Sequence, residues 1–445
     1  MASPKRARTI LALASPVAVS RLSTTVMGLV DTLLVGRGLG TDALAAVGLG
    51  TFLWWTALCW FEGTLTGVNT WVAQLRGAGD ERRGRVFGWQ GIYIAVAGGV
   101  VLAVLASLVE PALGLARLPP ESHGLTVLYT ERVLLGSGFV MLMSAVAGYL
   151  QGLGNTRTPM WITLLTNAVN AVLDYAFIYG ALGFAPRGVL GAADATVVAS
   201  AVGAALSVAV FLWYPQAPRL VRPELRALGD LVRVGSNTGL QWLSEMVAFS
   251  VFSVIVNQIS AVAGAANNVL YRLTHFAFMP ATGVGVALTT LVGERCGAGD
   301  HDEADRLHRA GRRLCLLYMG SVGVLFLLAR HRLLAVFSDE PEVVAAGARV
   351  MVLVGMVLLF DALAAAAAGA LRGAGDVGFL KLWMLVTSYA VFLPLTVVLV
   401  HGLGLGLTSA WVASAVQISL FGIGVELRWR SGRWRAHSLV AAARG

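Results

Sequence analysis

The sequence predicts an all-α polytopic membrane protein: twelve transmembrane helices arranged as two parallel six-helix repeats. Three observations predict it. The chain is 57% hydrophobic and 13% charged, with a mean hydropathy of +0.74, where soluble domains carry about 25% charged residues. Continuous apolar runs of about twenty residues recur along its length, enough for a helix to cross a hydrocarbon slab of ~30 Å. They do not alternate over ten-residue stretches, which excludes a transmembrane barrel. Finally, two loop motifs each occur twice, at offsets of 220 and 221 residues.

The first span is expected at 12–36, after the basic head MASPKRAR. A basic head before an apolar run also describes a cleavable signal peptide, but the run continues to about Val35 with no clear cleavage site, so it is read as a span. The following spans are expected at 46–74, 86–108, 130–151, 159–181 and 189–214. The polar stretch PQAPRLVRPELRALGD at 215–230 marks the midpoint. Spans seven to twelve are expected at 234–257, 267–292, 312–330, 346–371, 380–401 and 405–427. The domains are therefore an N-terminal six-helix lobe at 1–214, a cytoplasmic linker at 215–230, a C-terminal lobe at 231–427 and a basic, interfacial tail at 428–445.

Lys and Arg fix the expected orientation. With the N-terminus in the cytoplasm, inner segments collect 24 basic residues and outer segments 5, namely Arg37, Arg117, Arg187, Arg330 and Arg332. Cytoplasmic enrichment in basic residues then puts both termini inside, in a bacterial-type plasma membrane. The same clustering between spans accounts for the net charge of +9 without a nucleic-acid partner.

The halves repeat one another. Gln74-Leu-Arg-Gly77-Ala-Gly79-Asp80 after the second span returns as Glu294-Arg-Cys-Gly297-Ala-Gly299-Asp300 after the eighth. Tyr149-Leu-Gln-Gly152-Leu-Gly154-Asn155 after the fourth returns as Ala370-Leu-Arg-Gly373-Ala-Gly375-Asp376 after the tenth. A period of six helices gives both halves the same orientation, the parallel-repeat pattern of transporters. Each glycine suits a left-handed helix cap, but turn chemistry alone does not explain matched sequence in both halves.

Carboxylates within spans are costly and mark ion or substrate paths. Asp31 stands in span one. Span five places Asn167, Asn170 and Asp174 at intervals of three and four, on one helix face. Such a group can coordinate a dehydrated cation or hold a proton. Span six adds Asp194 and Thr196. Elsewhere Glu62 lies in span two, Glu245 in span seven and Asp361 in span ten. For each acid the alternative is pairing with a buried Arg, with Arg21 and Arg272 as available partners, or a place near an interface to which it snorkels. At the repeat offset Val251 stands opposite Asp31, so the duplication kept the scaffold and not the site.

No enzymatic constellation emerges. Cys59, Cys296 and Cys315 lack metal-ligand spacing, and the GAGD loops lack the GxxxxGK[ST] of a phosphate loop. His275 has no paired ligand, while His301 and His308 are expected to be solvated in a charged loop. No cofactor or metal is expected. Trp54, Trp55, Trp60 and Trp71 fit either interface anchors or a cavity lining.

The spacing P-x14-D-x4-G-x2-LG (Pro16, Asp31, Gly36, Leu39-Gly40), the LAA of Leu44–Ala46 and the GAGD and LRGAGD loops together resemble the multidrug and toxic compound extrusion (MATE) family across essentially the whole chain. The resemblance implies a V-shaped pair of six-helix lobes that exports organic cations or amphipathic drugs in exchange for H+ or Na+. It implies a first-lobe cation site at Asp31, Asn170 and Asp174, lined by Thr196. The second span-five acid is similar to the branch named after the DNA-damage-inducible protein F, often proton-coupled. Glu245 and Asp361 are similar to positions of the other bacterial branch, where sodium coupling is common, so both ions remain open. Glu62 and Asp194 match no position of the family pattern. The partners implied are a small organic cation or amphipathic substrate and the bilayer, with the chain acting as a monomer. The rival reading is a lipid-linked precursor flippase, which would be expected to line its cavity with basic residues to hold pyrophosphate; here the span interiors favour acids.

Overall fold

The computed structural model describes residues 4–114, 120–214, 220–437 and 439–440, all helices and short connections with no strand among them. Arg117, residues 215–219 of the linker, and 438 and 441–445 of the tail lie outside the described residues. Twelve helices are long and apolar enough to cross a membrane. They are α1 Pro4–Leu39, α2 Thr41–Gly77, α3 Glu81–Ala106, α4 Pro120–Gly152, α5 Arg157–Tyr179 and α6 Gly188–Trp213, then α7 Leu225–Asn257, α8 Ala261–Gly297, α9 His301–Ala335, α10 Pro341–Ala374, α11 Val377–Gly402 and α12 Gly406–Arg430.

Every expected span is present, but many helices are longer than their apolar stretch. Hydropathy registers only the part fit for lipid, whereas backbone hydrogen bonding carries a helix on into water. Thus α9 runs Pro-free for 35 residues where the apolar run covers 312–330, and α7 begins inside the expected linker, at Leu225. Between α1 and α2 only Gly40 intervenes, at φ +88°.

The duplicated loops are duplicated in geometry. Gly79 and Gly299 take φ +75° and +76°, and the next residue caps the following helix: Asp80 accepts from Arg83 N and Asp300 from Glu303 N, both at 3.0 Å. Asn155 does the same for Thr158 N at 3.1 Å. Asp376, the fourth member, instead accepts from Arg428 of α12 at 2.7 Å. An acidic or amide side chain there satisfies amide donors that every helix start leaves open.

Contacts group the chain into two compact units. The N unit comprises Val19–Val72 and Asp80–Gly239; the C unit comprises Met1–Ala18, Ala73–Gly79 and Leu240–Gly445. This grouping differs from a cut at 215–230, because the starts of α1 and α7 each join the unit built mostly from the other half. Glycine permits both crossings. In the C unit, a Cβ on Gly283 of α8 would meet the carbonyl of Ala14 in α1. In the N unit, one on Gly235 or Gly239 of α7 would meet the carbonyls of Thr64 or Trp60 in α2. Also in the C unit, a Cβ on Gly77 would collide with Glu294 O and one on Gly297 with Gln74 O, a reciprocal approach of α2 and α8.

The N-unit core includes the Trp71–Phe87 stack at 4.3 Å and the edge-on Tyr149–Phe211 pair at 5.0 Å. The C-unit core runs from Ile10 through Phe252, Leu270 and Met319 to Trp411. Within α11, wider turns at Val386–Phe392 and Val398–Gly402 flank Pro394. Proline has no N–H to donate, and the Leu393 and Leu403 amides reach back five residues, to Ser388 O and Val398 O.

One expectation is corrected at the loop end of the C unit. His308 is not solvated: its side chain is fully buried and its Nε2 lies 3.0 Å from Glu426 of α12. Glu426 also accepts from Arg312 and, at 2.8 Å, from Arg430. From sequence alone Glu426 reads as one acid in a basic helix end, with nothing to pair it with His308. The described part of the tail also folds inward. Trp434 stacks on Trp429 at 4.1 Å and donates to its carbonyl at 2.9 Å. Arg6 of α1 grips both oxygens of Glu303 at 2.6 and 2.8 Å.

Candidate functional site

The site is assembled by α1 and α5 within the N unit. Helix α5 ends at Gly180, whose φ of +75° gives a left-handed cap that ordinary residues adopt at a cost. Its polar stripe is set by spacing. Asn170 and Asp174, one turn apart, are 6% and 1% exposed. Asn170 Nδ2 donates to Asp174 Oδ2 at 2.6 Å and to Asp31 Oδ1 of α1 at 3.4 Å. The two carboxyl groups lie within electrostatic reach of each other, and Asp174 Oδ1 is buried without a hydrogen-bond partner.

Two further bonds hold α1 against α5. Asn167 Nδ2 donates to Ser23 Oγ at 2.8 Å, and Tyr179 Oη donates to Leu34 O at 2.6 Å. The contacts follow the same order on both helices, Ser23, Asp31, Leu34 against Asn167, Asn170, Tyr179, so α1 and α5 run in the same direction. Tyr129 of α4, whose hydroxyl accepts from Thr51 at 3.2 Å, lies within electrostatic reach of both acids. Sequence reasoning missed Tyr129, since an aromatic in an apolar helix reads as core.

The arrangement places two acids around one amide donor in a buried setting. Buried charge is costly unless paired and hydrogen-bonded, so the group suits capture of a positive charge.

The remaining expected residues divide. Thr196 belongs to the N unit, but its hydroxyl donates back to Ala192 O of its own helix at 3.1 Å rather than to the acids. Asp194 lies between Arg132 and Arg187, at 2.9 Å from each, so it is a structural ion pair. Neither arginine was evident as its partner, because Arg132 comes from α4 and Arg187 stands seven residues upstream. In the C unit, Glu245 and Asp361 are within electrostatic reach of each other, and Arg372 of the LRGAGD loop acts on Glu245. Arg372 Nη2 also approaches Gln241 Oε1 at 3.4 Å. Asp361 borders a small cavity with Thr274, Leu353, Trp411, Ser414 and Ile418. His275 stacks on Tyr271, with ring centroids 5.8 Å apart. Among the described residues no group of three His, Cys, Asp or Glu side chains is arranged to hold a metal ion.

The MatE family model matches the chain twice, at residues 16–176 and 238–399. A probable multidrug resistance protein NorM from Thermotoga maritima is 28% identical over 445 residues, covering 99% of this chain and 96% of that one. Multidrug resistance protein PmpM from Pseudomonas aeruginosa is 32% identical over 409 residues, covering 90% and 84%. A MATE crystallised in complex with MaL6 superimposes with a TM-score of 0.89 at 20% identity, covering 99% of this chain and 98% of that chain.

Proposed function

Because the chain belongs to the MATE family, we propose that it is a multidrug efflux antiporter that exchanges organic cations or amphipathic drugs for protons through Asp31, Asn170 and Asp174. The observation that carries the reading is the amide of Asn170 turned with its nitrogen toward both carboxyl groups. Two acids sharing one buried amide repel each other when both are charged, and uptake of a proton relieves that repulsion. The names of the relatives, multidrug resistance proteins, support the substrate class.

In this mechanism a proton taken from outside neutralises the paired acids, and α1, held to α5 by their shared bonds, rearranges. The drug leaves outward, and release of the proton inside restores the charged pair. Thr196 borders this pocket in the proposal. The basic segments, 24 residues against 5, support both termini facing the cytoplasm of a bacterial-type inner membrane, with each monomer carrying its own site. The C-unit pair Glu245 and Asp361 is a second cation-binding position, with Arg372 as a built-in competitor for Glu245. The flippase alternative finds no support: the site described here is acidic, and the relatives are multidrug resistance proteins.

The test is ethidium efflux from vesicles driven by an imposed pH gradient, with and without Na+. Wild-type protein should respond to the gradient without Na+. Full activity of Asp31→Asn would sink the proposal.

A further inference from the structure

Glu62 of α2 lies in the N unit but takes no part in the Asp31 cluster. Its Oε2 accepts from Ser144 Oγ of α4 at 2.7 Å, while its Oε1 is buried and has no partner atom. Around it Phe61 packs with Met141 over Gly98 of α3, and Trp60 stands edge-on to Phe61 at 4.8 Å. The charged group acting on the carboxyl is Arg21 of α1; among the described residues no ion pair closes between them. Of the neighbouring helices, α4 contributes the Ser144 hydroxyl, α3 packs through Gly98 on Phe61, and α7 packs through Thr238 and Gly239 on Gly63, the residue after Glu62.

An ionised carboxylate offers about four acceptor positions, and here one neutral hydroxyl serves them. Leaving the second oxygen charged, buried and without a donor is among the costliest states a side chain can hold. Protonation removes that charge. Since Oε1 presents essentially no free surface, a proton is the one cation that reaches it without displacing protein atoms.

We propose that Glu62, positioned by Ser144 and Arg21, is a second proton-carrying site of the N unit, loaded and emptied during exchange alongside the Asp31–Asp174 cluster. This rests on the antiport reading above. Arg21 and Asp31 share α1, ten residues or roughly 15 Å apart at a helical rise. A movement of α1 that reorganises Asp31 therefore also moves Arg21 relative to Glu62. As the guanidinium closes in, the carboxylic acid gives its proton to water and the carboxylate left behind pairs with Arg21. Approach and release then swap one positive charge for another at the same oxygens.

Two measurements on the full-length protein in lipid test this. Infrared difference spectra at neutral pH should show a protonated-carboxyl band that vanishes in Glu62→Gln, shifts in Ser144→Ala and survives in the Asp31→Asn/Asp174→Asn double variant. In proteoliposomes the number of protons exchanged per ethidium should fall by one in Glu62→Gln. Absence of a Glu62-dependent carboxyl band overturns the assignment, and an unchanged proton count overturns its part in exchange. If the double variant keeps the full count while Glu62→Gln loses one, the Asp31 reading fails and the Glu62 site stands.

Discussion

Asn170→Ala removes the amide that joins the two acids, and its effect can be sized from the contacts. The 2.6 Å bond to Asp174 involves a carboxyl group and is nearly out of solvent. Hydrogen bonds to charged groups contribute about 1.5–3 kcal/mol. At 1.4 kcal/mol per factor of ten, pH-driven ethidium exchange should fall roughly 10- to 100-fold. Asn167→Ala is the matched control, because it lies on the same face, one turn earlier, and donates to a neutral hydroxyl, Ser23, at 2.8 Å. A neutral bond contributes about 0.5–1.5 kcal/mol, so its loss should stay within about tenfold. Exchange is measured as fluorescence change in everted vesicles at matched protein levels. The reasoning is refuted if Asn170→Ala stays within about twofold of wild type, or if Asn167→Ala is the more damaging change.

Two predictions concern stability. Arg428→Ala strands Asp376, whose side chain is 3% exposed, without its main partner; removing one member of a buried pair costs about 3–5 kcal/mol, read as a lower melting temperature in detergent that Asp376→Asn in the same chain largely restores. Gly297→Ala pushes a Cβ into the backbone carbonyl of Gln74, an overpacking cost of about 1–3 kcal/mol; Gly378→Ala, where a Cβ meets nothing within 4 Å, should leave the same melting temperature unmoved.

The spans were legible because lipid imposes a coarse demand, a run of apolar residues of fixed length, that every helix meets. The helix extensions past the apolar runs, as in α9 and α7, were not, since nothing in hydropathy separates helical from irregular chain in water. The loops were legible at their second glycines, since Gly79 and Gly299 take the left-handed conformation expected of them and differ by one degree in φ; the side-chain caps of Asp80 and Asp300 were not read from the motif. Of the site, the bond of Asn170 to Asp174 follows from their spacing of four. The approach of Asp31 is a tertiary fact that spacing on one helix cannot give; the family resemblance supplied it. Asp194 was legible as an acid with an ion pair as its alternative, but Arg132 was not legible as the partner, because it meets Asp194 only through the packing of α4 on α6. His308 failed for the same reason: its partner Glu426 is 118 residues away.

The exchanged starts of α1 and α7 bear on how such a chain can be divided. Two polypeptides severed between residues 215 and 230 would each own an incomplete unit. The later piece would want Arg6 for Glu303 and Gln74 for Gly373 O, and the earlier piece would want the glycines of α7 that close on α2. Neither half is thus a module that can mature alone, and a gene split there should yield protein only when both fragments are inserted side by side. The duplication that doubled this chain also made its two products dependent on each other.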